Sequence, residues 1–117
     1  MNNPQFISIL NRKLKPAFTY SDFYQAWLPS VSNSKNPQKK ALGYYKMPVK
    51  VINAVNVNDP TDIISIGIIW GTNEIINQDI QRTKESDSLR GDQISLVADK
   101  GQEPKFYMVK DVNLLGT

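Results

Sequence analysis

The sequence predicts a single α+β domain over residues 1–117 with an antiparallel sheet and the element order βαββαβ. Three observations carry this. Residues 49–70 read as a long hairpin, first strictly alternating and then apolar on both faces. A capped aromatic segment at 19–28 has helical spacing. Proline and glycine punctuate the chain where elements should stop. With 117 residues, folding removes roughly two-thirds of the unfolded chain's surface from water, enough for one core and not two.

The first strand is expected at about 5–14, where Phe6, Ser8 and Leu10 alternate with Ile7, Ile9 and Asn11. Pro16 cannot donate a ladder hydrogen bond and ends it. Thr19 and Asp22 have the spacing of an N-cap and its reciprocal partner, so a helix starts there. Phe23 and Trp27 then share a face flanked by Tyr20, Tyr24 and Leu28, which predicts an aromatic stripe against the sheet. Pro29 predicts the helix end. Residues 30–47 lack a period and read as a long loop, of the kind used as lids or binding loops, with Tyr44 and Tyr45 near its end.

From Pro48 the alternation puts Val49, Val51, Asn53, Val55 and Val57 on one face and Lys50, Ile52, Ala54 and Asn56 on the other. Asn58 to Thr61 are turn formers, and the β-branched run 63–70 completes the hairpin. A strand apolar on both sides needs cover on both, from helices or from a second sheet. Thr72 and Glu74 suit the start of a second, interrupted helical region reaching Lys100 and Gly101, and Pro104 opens a last strand at 105–114.

Composition bounds the chemistry. There is no cysteine, which excludes disulfides, thiolate metal sites and a cysteine nucleophile, and no histidine, which excludes the commonest general base and the histidine-dependent triads. The six glycines form no phosphate-cradling loop. The pairs Asp59/Asp62 and Asp87/Asp92 lack metal-loop spacing, so no metal or cofactor is expected. No apolar run approaches the ~20 residues of a membrane span, and the start of the chain lacks a secretory pattern, so a cytoplasmic protein is expected. The net charge of +3 is modest. Arg12, Lys13 and Lys15, with Lys35, Lys39, Lys40, Lys46 and Lys50, read as solvated surface and not as a nucleic-acid patch.

The element order, the long hairpin with its 58–61 turn, and a strand ending in Trp70 just before a capped helix resemble the dimeric α+β-barrel superfamily of ferredoxin-like fold. Antibiotic-biosynthesis monooxygenase-like and EthD-like proteins belong to it. The resemblance implies a homodimer with sheets face to face and helices outside. It also implies a pocket between sheet and helices for a small apolar or aromatic ligand. In the haem-degrading branch an asparagine on the first strand and a tryptophan ending the third shape that pocket, and Asn11 and Trp70 are placed similarly; the axial histidine of that branch is missing here. The form of activity the resemblance implies is therefore a cofactor-independent monooxygenase-like reaction, in which the bound substrate supplies the electrons.

The residues themselves leave alternatives open. Asn53 among valines needs a hydrogen-bond partner if its face is buried, either a ligand or a neighbouring strand, since an unmet amide costs about 1–3 kcal/mol. Asn11 is a pocket amide or a strand end reaching solvent. Trp27, Trp70, Tyr44 and Tyr107 line a pocket or close a core. Arg82 and Arg90 are surface charges or anion contacts. In the competing reading the chain is a non-catalytic interaction or assembly module.

Overall fold

The structure, a computed structural model, describes residues 3–31, 49–71, 93–101 and 103–117. In this range the chain is an α+β protein with one helix and a five-stranded antiparallel sheet. The elements in chain order are β1 (Phe6–Leu14), α1 (Tyr20–Val31), β2 (Val49–Asn56), β3 (Asp59–Ile69), β4 (Ala98–Lys100) and β5 (Lys105–Met108). The sheet runs β2-β3-β1-β4, and β5 also pairs with β1. Since β1 and β2 are both antiparallel to β3, they run parallel to each other with β3 between them.

The helix forms where the caps and the stripe require. Thr19 N–H donates to the Asp22 carboxylate at 2.8 Å, and Asp22 N–H donates back to the Thr19 hydroxyl at 3.3 Å. This reciprocal pair satisfies two amides that the first turn leaves without partners. Thr19→Ala is expected to cost about 1 kcal/mol, read as a lower denaturation midpoint with an unchanged slope.

Phe23, Trp27 and Val31 turn inward onto Leu14 and Ile63, and Tyr20, Ala26, Leu28, Val51 and Val55 pack around them. The helix runs two residues past Pro29, further than the proline alone predicts. Pro29 lies on the exposed side, while Ser30 and Val31 are buried and the Ser30 hydroxyl donates to the Ala26 carbonyl at 2.9 Å. Packing of the last turn thus offsets the missing proline donor.

The hairpin is tighter than the turn formers suggest. Asn56 pairs with Asp59, so the loop is Val57 and Asn58, and the sequence 59–62 belongs to β3 at a register shift. Such an irregularity leaves residues outside the regular ladder, which tolerates a donorless Pro60. Val57, expected on the valine face of β2, sits instead at the fully exposed tip.

The second helical region lies mostly at 72–92, outside the described residues. Its expected last part is not helical. Residues 93–97 make turns, with Val97 and Ala98 N–H both donating to the Ile94 carbonyl, and Ala98–Lys100 pairs with Arg12–Leu14 as β4. The spacing of Ile94 and Val97 serves one turn that drops both side chains into the core, where they are buried. Both β4 and β5 lie along β1, so this sheet edge is one strand interrupted around Gly101 and Pro104.

The register assigns each side chain to a face. Ser8, Leu10, Arg12 and Leu14 share the helix side with Ile63, Ser65 and Gly67 and with Val51, Asn53 and Val55. Gly67 faces Ser8, whose hydroxyl occupies the space a Cβ at position 67 would take. The opposite face carries Ile7, Ile9, Ile52, Ile64, Ile66 and Ile68 across three adjacent strands. The two faces differ in burial. Ile63, Ser65 and Gly67 are buried, Ile64, Ile66 and Ile68 are half-buried, and Ile52 is 46% exposed.

Candidate functional site

Between α1 and the sheet lies a polar group built from three strands, with Arg12 and Ser65 buried and Asn53 half-buried. Asn53 of β2 sits directly across from Ser65 of β3, and Arg12 of β1 is one step along, opposite Ile63. Strand alternation aims all three toward the helix. The Arg12 guanidinium donates from Nη1 to the Ser65 hydroxyl at 3.4 Å, and that hydroxyl donates to Asn53 Oδ1 at 2.6 Å. The guanidinium carbon stands 5.5 Å from the centroid of the Phe23 ring, which in turn stacks on Trp27 at 6.4 Å.

Arg12 is only 4% exposed, and an arginine stays protonated even when buried. Taking such a charge out of water costs several kcal/mol, which the ring face and the hydrogen bonds offset in part. The bonds have one direction. Arginine can only donate, serine passes the polarity on, and Asn53 receives it on its oxygen. The acceptors of the group are therefore used internally, and the Asn53 Nδ2 hydrogens remain as donors beside a positive charge. Arg12 has a further partner besides these, so the donors the group leaves over for an acceptor oxygen are the Asn53 Nδ2 hydrogens.

A second polar group occupies the hairpin end of the sheet. Asn11 Nδ2 donates to Asp62 Oδ1 at 2.6 Å and to the Ile63 carbonyl at 3.0 Å, and Asn56 Nδ2 donates to Asp62 Oδ2 at 3.0 Å. Asp59 accepts from the Thr61 hydroxyl at 2.7 Å and the Thr61 N–H at 3.0 Å, with Lys13 Nζ at 3.5 Å. Both carboxyls are held below their ordinary value of 3.8, Asp59 chiefly by the Thr61 hydroxyl and Asp62 chiefly by Asn11 and then Asn56.

Depressed folded values mean that this contribution is fully present above the unfolded value and is lost as pH falls from 3.8 through the folded values. Asp62→Asn is accordingly expected to be less stable than the natural chain at neutral pH, with the gap narrowing in acid. Denaturation midpoints taken from about pH 2 to pH 7 check this, and a gap that does not change with pH contradicts it.

The six candidates from the sequence fall in different places. Asn53 and Trp27 belong to the layer between sheet and helix. Asn11 lies on the other face, tied to Asp62, so one site cannot take both asparagines. Tyr107 is also on that other face, opposite Ile7 and half-exposed. Trp70 follows directly on β3 and is half-buried. Tyr44 lies outside the described residues, as do Tyr45, Arg82 and Arg90.

Two members of the buried group, Arg12 and Ser65, were not among those candidates. Arg12 reads as solvated when grouped with Lys13 and Lys15 along the chain. Its period-two neighbours Leu10 and Leu14 are the signal that it faces inward. Lys13, one residue on, is indeed exposed.

Comparison with protein-family models, with curated proteins and with solved structures finds no match for the chain. The class the geometry defines is an α+β protein whose antiparallel sheet carries a helix and a buried cationic group on one face and isoleucines on the other. Among the described residues no helix is long and apolar enough to cross a membrane.

Proposed function

We propose that the chain is a ferredoxin-like domain that works as a homodimeric α+β barrel and binds a small apolar or aromatic ligand in the layer beneath α1. The observation that carries the ligand reading is the hydrogen-bonded chain of buried Arg12 and Ser65 with half-buried Asn53, whose arginine lies against the Phe23 ring. It sets donors and a positive charge among aromatic side chains, a combination suited to an aromatic ligand with a phenolate or carboxylate oxygen. Strand order and the split crossover support the ferredoxin-like reading. The isoleucine face supports pairing with a second sheet, because a lone copy leaves that face half-exposed. The activity consistent with this site is monooxygenase-like chemistry without a cofactor, in which Asn53 Nδ2 donates to the substrate oxygen and the nearby Arg12 charge favours its anionic form.

Titration with 1-naphthol, read by quenching of the two tryptophans, tests the ligand reading. Saturable quenching is expected, weakened about tenfold or more in Arg12→Met, as loss of the nearby charge implies. Equal affinity in the two chains, or quenching that never saturates, overturns it.

The isoleucine face favours a second reading, a non-catalytic module that assembles through its sheet. Light scattering at micromolar concentration separates the two. A monomer removes the homodimer and leaves that face to a different protein, while a dimer without naphthol binding leaves an assembly module.

A further inference from the structure

The strand pairings lay out the face turned away from α1 as rows running across the sheet. From the β2 edge to the β5 edge, one row is Lys50, Ile68, Ile7 and Tyr107, and the next is Ile52, Ile66, Ile9 and Lys105. Ala54, Ile64 and Asn11 follow, and the row at the hairpin end is Asp62, Lys13 and Asp99. Isoleucines hold the β3 and β1 positions of the first two rows, while Lys50, Lys105 and Tyr107 stand exposed at the rim.

The amides of this face are already bonded. Asn11 spends its two Nδ2 hydrogens on Asp62 and the Ile63 carbonyl, and each oxygen of Asp62 accepts from an asparagine. What these bonds leave unbalanced is charge. Neutral side chains hold Asp62, and the exposed Lys13 reaches Asp59 at 3.5 Å.

A second copy laid face to face is related by a two-fold axis either along the strands or across them. An axis along the strands, between β3 and β1, keeps every row level and reverses its order. Ile68 then meets Ile7 of the second copy, Ile66 meets Ile9, Asp62 meets Lys13, and Lys50 meets the Tyr107 ring. Ile52 lies under the Lys105 stem, and Ile64 against the bonded amide of Asn11. Packed sheets stand about 10 Å apart, a gap that a lysine and an aspartate side chain bridge together.

An axis across the strands turns the hairpin end of one copy onto the opposite end of the other. Placed between the Ile64 and Ile66 rows, it sets Asp62 against Ile68 and Lys13 against Ile7, which takes both charges out of water without a partner. Moved to the Ile66 row, it sets Lys105 against Lys105 of the second copy.

We propose that the two-fold axis of the homodimer, whose existence rests on the reading above, runs along the strands between β1 and β3. Two Lys13–Asp62 pairs and two Lys50–Tyr107 contacts then flank the isoleucines and fix the orientation of the copies.

Reversing one charge at a time tests this by light scattering. Lys13→Glu and Asp62→Lys are each expected to dimerise roughly tenfold or more weakly than the natural chain, because each homodimer then holds two like-charge contacts. Mixed in equal amounts, the two variants are expected to recover to within about threefold of the natural affinity, because both contacts across the axis again join opposite charges. The natural chain has no cysteine, so introduced thiols report cleanly. A short bis-maleimide is expected to link Lys50→Cys to Tyr107→Cys and not to Asn56→Cys.

The failures are distinct. A natural chain that is monomeric at micromolar concentration removes the homodimer and this axis with it. A dimer whose mixed variants associate no more tightly than either alone overturns the axis and leaves the homodimer. Links from Lys50→Cys to Asn56→Cys instead of Tyr107→Cys overturn it likewise, and these thiols decide by themselves if Asp62→Lys does not fold.

Discussion

Phe23→Ala is expected to destabilise the protein by about 3–5 kcal/mol. Phe23 is fully buried at 0% exposure and joins its own helix to β1. It stacks on Trp27, leans on Tyr20 at 5.8 Å, and forms the floor under the Arg12 guanidinium. Truncation removes the transfer free energy of a large ring, and it leaves a cavity that a sheet and a helix cannot both close. Against a total stability of about 5–15 kcal/mol for a domain of this kind, the loss is a third or more. A urea denaturation midpoint that falls without a change in slope is the expected result. A change under about 1 kcal/mol contradicts the packing described for α1.

Arg12 gives the second large effect, and its two substitutions separate stability from recognition. Arg12→Ala is expected to cost about 2–4 kcal/mol, because the aliphatic stem fills the sheet-to-helix layer and the charged head lies on Phe23. Arg12→Met keeps most of the stem and removes the charge with its desolvation cost, so its stability is expected to return to within about 1.5 kcal/mol of the natural chain. Binding behaves differently: neither substitution restores the charge, and both weaken the 1-naphthol affinity. A double-mutant cycle of Arg12→Met with Phe23→Leu is expected to return a coupling of about 0.5–2 kcal/mol from the cation and the ring. Zero coupling means that the stack does not stabilise the fold.

Much of the architecture is legible from residue order because it follows from local chemistry. The Thr19 and Asp22 cap, the Phe23 and Trp27 stripe and the alternation of β2 each involve residues a few positions apart, and the structure contains all three. Where local rules err, a distant partner has intervened. Pro29 signals a helix end that burial of Ser30 and Val31 overrides, and the helical spacing of Ile94 and Val97 yields to the ladder that β1 offers Ala98–Lys100. The last strand, expected at 105–114, stops at Met108.

The site was less legible than the fold. Asn53 was conspicuous as an amide among valines, but its partner Ser65 is 12 positions away and Arg12 a further 53 from Ser65. Nothing in composition distinguishes Arg12 from the lysines beside it. Asn11 and Asn53 looked equivalent as strand amides, and the register places them on opposite faces.

By itself, then, the order of residues specified the α+β class, the capped aromatic helix, the hairpin and the chemistry that a chain without cysteine or histidine must forgo. Those properties depend on neighbours three or four positions apart, or on residue identity alone. The strand order, the burial of one cation among lysines and the contrast between two sheet faces emerged only on folding. Each of these depends on which strands lie side by side and on what covers them, and such contacts join residues that the chain keeps far apart.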